Sequence, residues 1–381
     1  MTFHTSKCKV MVFNSAAKQV IFTLDKTVLE IVQTHRYLGV ILTSKYVTNL
    51  FKAHFQYNLQ KAKTKAAAIR CHVFGTPGFR IKSSVKLYKL QVRPLLEFSA
   101  QSLSFFTYSQ HVHPDVVGRF AKRLEHLQTQ LLKSLIHCPR ATSPAIARLF
   151  CGTEPLACRL EILKLRYFWK MSRSPANALC SSILKYRRDR FLDFNKGFAQ
   201  EVFNICAKYN IMHIWHGLAP QNSMHRNIKL NPLHFIKQVI TSHNLRLDLE
   251  DGRARNCSFS KNYLLNPFIY QKEYHIVKPF GKADCFSSPI GRKYFVKALL
   301  HPCSYPENCP LCGEQTCDTC NHLLTTCPRV PDPRKKLHLK LTLYNYPANH
   351  FPLTKSTIIQ LSLTNGVWRK CFAEFLKEVD F

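Results

Sequence analysis

Acidic residues are scarce in this chain of 381 residues, which carries 22 Asp and Glu against 55 Lys and Arg. Two-metal phosphoryl transfer needs several carboxylates held close together to neutralise two cations. The ten aspartates include no Asp-Asp pair, and the densest acidic cluster, residues 248–251 before Gly252, is typical of a solvated turn. We therefore expect no polymerase or nuclease activity from this chain alone.

Several other catalytic and targeting signatures are missing. The sequence contains no glycine-rich phosphate loop, no His-Glu-x-x-His and no Gly-x-Ser-x-Gly. No signal peptide opens it, and its longest uncharged runs, such as 98–114, are rich in Ser, Gln and His, so we expect no membrane span. A chain this long with sixteen cysteines is not a small disulfide scaffold. We expect a reducing compartment, nuclear or cytoplasmic, and no secretion.

The excess of basic residues gives a formal net charge of +33. Self-repulsion of that size makes a polyanionic partner the first expectation, with nucleic acid ahead of an anionic membrane surface. Because 46% of the residues are hydrophobic, we expect a packed core and not a disordered chain.

The hydrophobic pattern divides the chain into a short β region and a long helical region. Residues 1–43 contain short β-branched runs, which predict an antiparallel piece of three or four strands. Beyond them the apolar positions recur at helical spacing. The predicted helices cover residues 51–70, 85–96, 117–136, 160–171, 198–209 and 357–379. Residues 217–292 show few periodic runs. The predicted fold class is mainly α with a small antiparallel β piece at the N-terminus (α+β).

The first predicted helix is apolar along one stripe and basic elsewhere. Residues 44–100 hold eleven Lys and Arg and a single acid, Glu97, so ion pairs within the helix cannot neutralise its charge. We interpret the basic faces as contacts to phosphates, which predicts salt-dependent binding with weak sequence preference. A solvated charged face is the simpler alternative. The candidate nucleic-acid-binding residues are Lys52, Lys61, Lys63, Lys65 and Arg70.

Six of the sixteen cysteines lie within residues 303–327. In this segment a Cys-x2-Cys turn is followed after nine residues by a histidine, and after four more by a cysteine. That spacing is typical of a closed, four-coordinate structural zinc site. The preferred zinc ligands are Cys309, Cys312, His322 and Cys327. Cys317 and Cys320 offer a four-cysteine alternative, and a set of free cysteines acting as small apolar residues is the simpler interpretation.

Five motifs follow one another in a recognisable order. They are the run 7–13, Tyr-Leu-Gly-Val at 37–40, Leu-Tyr-Lys-Leu-Gln-Val-Arg-Pro-Leu-Leu at 87–96, Gly-x-x-Pro-Leu at 152–156 and the Cys/His segment 309–328. In this order they resemble the end of the palm, the thumb and the C-terminal zinc knuckle of reverse transcriptases from LINE-type (non-LTR) retrotransposons. The family's polymerase aspartate pair is absent from this chain, so the resemblance implies the C-terminal part of an RNA-directed DNA polymerase that is inactive alone.

The resemblance also implies roles for residues near the N-terminus. Lys7 would match a lysine near the phosphates of the incoming nucleotide, although an exposed lysine before a strand is the simpler alternative. Tyr37, Leu38 and Gly39 would match the primer grip, where a turn presses on the primer backbone. The simpler interpretation of these three residues is an ordinary buried strand with a glycine bulge.

These observations predict five segments. They are the end of a palm (1–43), a helical thumb-like basic region (44–140), a helical linker region (141–300), a zinc knuckle (301–335) and a C-terminal helical tail (336–381). We expect the chain to bind structural Zn²⁺ and an RNA or DNA duplex or template–primer, and no membrane. Two alternatives stay open: a stand-alone zinc-knuckle regulator that binds DNA or RNA, and a basic interaction scaffold with no nucleic-acid role.

Overall fold

The computed structural model describes most of the chain. The described residues are 4, 8–13, 21–24, 26–44, 52–75, 81–101, 114–138, 140–175, 178–190, 197–217, 232–254, 296, 298–299, 307–316, 318–343, 353–355, 357–358 and 366–379. This part is mainly helical, with small pieces of sheet near the N-terminus, which confirms the coarse α+β prediction. No described helix is long and apolar enough to cross a membrane.

Six short strands form the N-terminal β region. They are β1 (Lys9–Val10), β2 (Thr23–Leu24), β3 (Thr27–Val28), β4 (Glu30–Ile31), β5 (Thr34–Tyr37) and β6 (Val40–Thr43). β2–β3 and β5–β6 are antiparallel hairpins, as expected. The prediction of a wholly antiparallel piece is wrong for β1 and β4, which pair in parallel. The β2–β3 hairpin lies between them in the chain and returns it to its original direction.

The basic helix lies directly after these strands. Helix α1 (Lys52–Gly75) contains no acidic residue. Its predicted apolar stripe is confirmed where side chains are described, and the buried members are Phe55, Leu59, Ala62, Ala66 and Ile69. The helix is therefore held by one stripe, which leaves its basic faces to solvent.

The next helical rod changes to π-helical hydrogen bonding just before Pro94. It consists of α2 (Ile81–Leu87), a π-helical segment (Tyr88–Val92) and α3 (Arg93–Glu97). Proline lacks an N–H donor, and its ring would clash with the carbonyl four residues earlier in an α-helix. The wider π turn accommodates it, and the Arg93 N–H donates to the Tyr88 carbonyl five residues back.

The middle of the chain contains seven further helices among the described residues. They are α4 (Pro114–Leu135), α5 (Pro144–Cys151), α6 (Leu156–Ser172), α7 (Leu179–Asp189), α8 (Phe198–Lys208), α9 (Met212–Trp215) and α10 (Pro232–Arg253). Helix α10 corrects the expectation that residues 217–292 are irregular. Its buried positions include Thr241 and Asp248, and these polar residues interrupt the apolar period on which the prediction relied.

The C-terminal part combines a small hairpin with three helices. Its elements are β7 (Glu307–Asn308), β8 (Gln315–Thr316), α11 (Thr319–Thr325), α12 (Pro331–Leu343) and α13 (Gly366–Glu378). Helix α13 covers the C-terminal part of the predicted last helix, 357–379, and residues 359–365 lie outside the described residues. β7 and β8 pair antiparallel.

Two apolar cores hold the helices together. The first joins α1–α5 to the segment 309–327 and to α12 and α13. The second lies among α6–α10, where the rings of Phe168 and Trp215 stack with centroids 5.6 Å apart. Helices α6 and α10 contribute side chains to both cores, which makes them the link between the basic region and the second core.

Candidate metal centre and basic surface

The β7–β8 hairpin presents the first two candidate metal ligands. Cys309 follows β7, and its N–H donates to the Glu314 carbonyl at 2.8 Å across the hairpin. The Gly313 N–H donates back to the Cys309 carbonyl at 2.9 Å, which closes a tight turn around Cys312. Gly313 has a φ of 77°, the left-handed region that favours glycine. The turn therefore aims both thiols to the same side.

Helix α11 presents the other two candidate ligands. It begins at Asp318, whose Oδ1 accepts a hydrogen bond from the Asn321 N–H at 3.1 Å and caps the first turn. His322 lies one turn later and is buried. The chain then leaves the helix with the Cys327 N–H donating to the His322 carbonyl at 2.9 Å, so that Cys327 returns to the same side.

The four side chains converge as the spacing predicts. Cys309 Sγ lies 3.9 Å from Cys327 Sγ, and Cys312 Sγ lies 3.2 Å from His322 Nε2. All four ligand atoms lie within 4.8 Å of one another. Tetrahedral zinc bonds of ~2.3 Å to sulfur and ~2.0 Å to nitrogen would separate ligand atoms by about 3.5–3.8 Å. The cluster therefore has the composition and size of a metal site.

The four-cysteine alternative does not match this arrangement. Cys320 is buried in α11 but does not belong to the converging group. Cys317 lies outside the described residues.

The neighbours of His322 and Cys309 favour metal binding, whereas burial of Cys327 opposes the thiolate form that a metal binds. Thr326 Oγ1 lies 2.9 Å from His322 Nδ1, which leaves Nε2 as the metal-facing nitrogen. Burial acts to raise the pKa of Cys309, but hydrogen bonds from the backbone of Cys312 and Leu311 outweigh it and hold that pKa below its usual value. Burial raises the pKa of Cys327 to about 11.

Two cationic side chains fasten this cluster, here called the metal knuckle (residues 307–327 without Cys317), to the rest of the chain. The guanidinium of Arg334 on α12 donates to the carbonyls of Thr325 and Cys327. The ammonium of Lys355 lies 3.0 Å from Asp318 Oδ1 and is almost fully buried. The metal knuckle is thus continuous with the C-terminal helices.

The primer-grip-like residues occupy a hairpin turn. Tyr37 ends β5, and Leu38 and Gly39 form a two-residue turn with φ values of 48° and 85°. Tyr37 is 62% exposed and Leu38 is 81% exposed, so the alternative of an ordinary buried strand is wrong. Turns with two positive φ values match the twist of paired strands, which explains why glycine stands at the second position.

The hairpin turn is packed against α1 and the end of α3. A Cβ atom on Gly39 would lie 3.0 Å from Phe98 Cζ, so the turn rests directly on that ring. His54 on α1 is buried beneath it, and its Nδ1 accepts a hydrogen bond from the Ile41 N–H at 3.4 Å. Burial lowers the pKa of His54, opposed by a hydrogen bond with the backbone of Phe98 and aided by the Arg36 charge.

The candidate nucleic-acid-binding residues divide between two sides of α1. Lys61 and Lys65 lie one turn apart on the same side, whereas Lys63 is about 200° away from Lys61 around the helix axis, on the side of Arg70. All four are exposed, and none belongs to an ion pair among the described residues.

Two candidate residues cannot be placed in this description. The side chain of Lys52, the first residue of α1, lies outside the described part. Lys7 lies outside the described residues altogether.

An aromatic side chain that the sequence analysis missed lies on the Lys61–Lys65 side. The Lys61 ammonium is 4.6 Å from the centroid of the Tyr57 ring, and the Arg36 guanidinium is 5.8 Å from it. A hydrogen bond from Lys61 is the main cause that lowers the pKa of the Tyr57 hydroxyl. The sequence contained a signal for this contact: Tyr57 and Lys61 are four residues apart, and residues i and i+4 lie on the same side of a helix.

The acidic cluster 248–251 is not a solvated turn. Asp248 is 5% exposed in the last turns of α10 and binds the Arg148 guanidinium through both oxygens, at 2.9 and 2.5 Å. Ser143 Oγ donates to Asp251 Oδ2 at 3.0 Å. The arginine charge replaces the lost solvent, which is why these acids are stable inside a helix interface. Among the described residues, the metal knuckle holds the one convergent group of metal-binding side chains.

Comparison of the chain with protein-family models, with curated protein sequences and with solved structures finds no match.

Proposed function

We propose that this chain is a zinc-holding, nucleic-acid-binding protein similar to the C-terminal part of a LINE-type reverse transcriptase, without polymerase activity of its own. The single observation that carries the binding function is the acid-free helix α1, whose exposed cations have no ion-pair partners among the described residues. Such a helix presents positive charge that a phosphate backbone can neutralise.

Zinc is the metal that the metal knuckle fits best. Three thiolates and one imidazole form a soft ligand set of the kind that selects zinc over oxygen-preferring cations. The group is closed, because four protein ligands complete a tetrahedron and leave no position for water or substrate. The ion would therefore stabilise the knuckle and take no part in chemistry.

The reverse-transcriptase likeness is supported by the arrangement of the motif residues. The Tyr37–Gly39 turn is exposed at the tip of a hairpin that rests on α1, so a backbone can approach it. The described carboxylates include several that form ion pairs in helix interfaces, such as Asp248 with Arg148 and Glu97 with Arg159. They offer no convergent set for two catalytic cations, which supports binding without catalysis.

The binding function is tested by salt-dependent affinity for a primer–template duplex. Lys61→Gln combined with Lys65→Gln should flatten the slope of log affinity against log salt by about 1.4–1.8, because each phosphate contact contributes ~0.7–0.9. Lys63→Gln combined with Arg70→Gln removes the same charge from the other side of α1. It should flatten the slope less, because Arg36 adds its charge to the Lys61–Lys65 side, where it lies beside Tyr57.

Two results would contradict this proposal. An unchanged slope in the first double variant would mean that α1 is only a solvated face. Equal flattening by both variants would mean that the nucleic acid senses total charge and not the Lys61–Lys65 side. Circular dichroism should be the same for all three proteins, because none of the four side chains is buried.

A further inference from the structure

An apolar groove lies on the Lys61–Lys65 side of α1, between this helix and α3. It encloses about 330 Å³ and is lined by Tyr57, Gln60, Lys61, Thr64, Lys65 and Leu95. That volume is at the lower end of the ~300–1,000 Å³ of small-ligand sites. The groove therefore has room for one planar ring system.

The groove combines an aromatic wall with positive charge at its rim. Tyr57 is half-buried, with its ring exposed to the groove and two cations near it, Lys61 at 4.6 Å and Arg36 at 5.8 Å from the centroid. Lys65 lies one turn further along α1, and none of the described acidic residues lines the groove. An apolar protein side chain would gain nothing from three cations, whereas a nucleotide needs both the ring and the charge.

We propose that this groove holds one unpaired base of a single-stranded nucleic-acid segment, stacked against Tyr57, with the flanking phosphates on Lys61, Lys65 and Arg36. A paired base presents only its edges to a protein, while an unpaired base offers its face to an aromatic side chain. The inference rests on the proposed function and adds to it, because phosphate contacts alone do not distinguish paired from unpaired strands.

We expect the single-stranded segment to continue from the groove towards the β5–β6 hairpin turn. Arg36 belongs to β5, and the exposed residues Tyr37 and Leu38 follow it in the chain. The exposed Lys61 ammonium leaves the Tyr57 ring when the base arrives and moves to a phosphate. A stacking contact between the base and the Tyr57 ring thus replaces the cation–π contact, and the Lys61 ammonium forms an ion pair with a phosphate.

The decisive probe is an abasic strand, which keeps every phosphate but lacks the bases. Fluorescence anisotropy would compare the full chain binding a short mixed-sequence single strand, an abasic strand of equal length and a blunt duplex at one salt concentration. We expect the single strand to bind about tenfold more tightly than the abasic strand, in line with one stacked base. Equal affinities for these two strands would overturn the proposal.

Substitutions of Tyr57 locate the stacked base. Tyr57→Leu should remove most of the tenfold preference, whereas Tyr57→Phe should keep it, because the ring and not the hydroxyl stacks. Tyr186→Leu is the control, since Tyr186 is half-exposed and also has a cation near its ring, the Arg190 guanidinium at 5.2 Å from the centroid, but lies on α7. An equal loss in Tyr57→Leu and Tyr186→Leu would contradict the assignment.

A second measurement works on the unaltered protein, so it does not depend on a variant that folds. A single strand carrying a photoreactive halogenated uracil should cross-link to Tyr57, and cross-links confined to other peptides would overturn the proposal.

The experiments distinguish failure of the groove proposal from failure of the proposed function. A salt slope that responds to Lys61 and Lys65, without preference for bases, defeats the groove alone. Absence of binding to all three probes defeats both.

Discussion

At the residue scale, the clearest feature is the convergence of three cysteines and a histidine in the metal knuckle. Cys312→Ser should lower bound zinc from one ion per chain to almost none, because an alcohol at that position does not replace a thiolate ligand. Metal analysis of the purified chain measures the stoichiometry. Cys320→Ala is the control, since Cys320 is buried in the same segment but outside the ligand group. Zinc that persists in Cys312→Ser would refute the ligand set.

His54 makes the docking of the β5–β6 hairpin sensitive to pH. Its pKa is lowered by burial, so the folded side chain resists the proton that an unfolded histidine takes up near pH ~6.5. Docking should therefore be strongest above that pH and should weaken as the pH falls below it. The protection factor of the Ile41 amide in hydrogen exchange reports this change. A protection factor that falls equally in His54→Gln would show that His54 is not the cause.

At the element scale, the β5–β6 hairpin depends on one glycine for two separate reasons. Gly39→Ala should destabilise the hairpin by about 2–3 kcal/mol, because the left-handed φ of 85° costs ~1–2 kcal/mol and the new methyl group would contact Phe98 at 3.0 Å. Amide exchange within β5 and β6 measures the loss. Adding Phe98→Leu should recover the steric part and leave the backbone part. Additive effects of the two substitutions would mean that the methyl group does not meet the ring.

Helices with regular apolar spacing could be predicted from the sequence, and helices whose buried positions are polar could not. The stripe of α1 repeats every three or four residues, and its buried members follow that pattern. Helix α10 was missed because Asp248 occupies one of its buried positions. Its partner Arg148 is 100 residues away in the chain, and local periodicity carries no record of such a pair.

The candidate sites also include one that could be predicted from the sequence and one that could not. The convergence of the four candidate metal ligands could be predicted from their spacing, since a Cys-x2-Cys turn and a short following helix fix their geometry locally. The groove beside Tyr57 depends on Arg36 from β5 and Leu95 from α3, which only the folded chain brings together. The division of the basic residues between two sides of α1 followed from helix geometry alone.

At the scale of the whole molecule, many of the described acids form ion pairs, both in the cores and at the surface, while the cations remain in excess. Lys164 and Glu201 form an ion pair between α6 and α8, and both are almost completely buried in the second core. Other acids pair across helix interfaces, as Glu374 does with Lys340 between α13 and α12. With few acids in the chain, this pairing leaves the surplus of cations on surfaces such as α1.

Breaking the buried Lys164–Glu201 ion pair should destabilise the protein much more than replacing both residues with apolar ones. Glu201→Gln should destabilise the protein by about 3–5 kcal/mol, because it leaves the Lys164 ammonium buried without its carboxylate. Lys164→Met combined with Glu201→Leu should cost much less, since it removes both charges. Urea unfolding followed by tryptophan fluorescence would measure both, because Trp215 lies in this core. Equal losses in the single and double variants would contradict this account.

Through Arg334, the proposed zinc site would link metal uptake to the folding of newly made chains. The knuckle is complete only after residue 327 has left the ribosome, and it supplies the two carbonyls that bind Arg334 of α12. Leu337 and Phe372 lie in the same apolar core as the knuckle, so under this proposal they would lack part of their neighbours until an ion closes the site. Zinc supply during synthesis would then set how long this apolar surface stays open to aggregation.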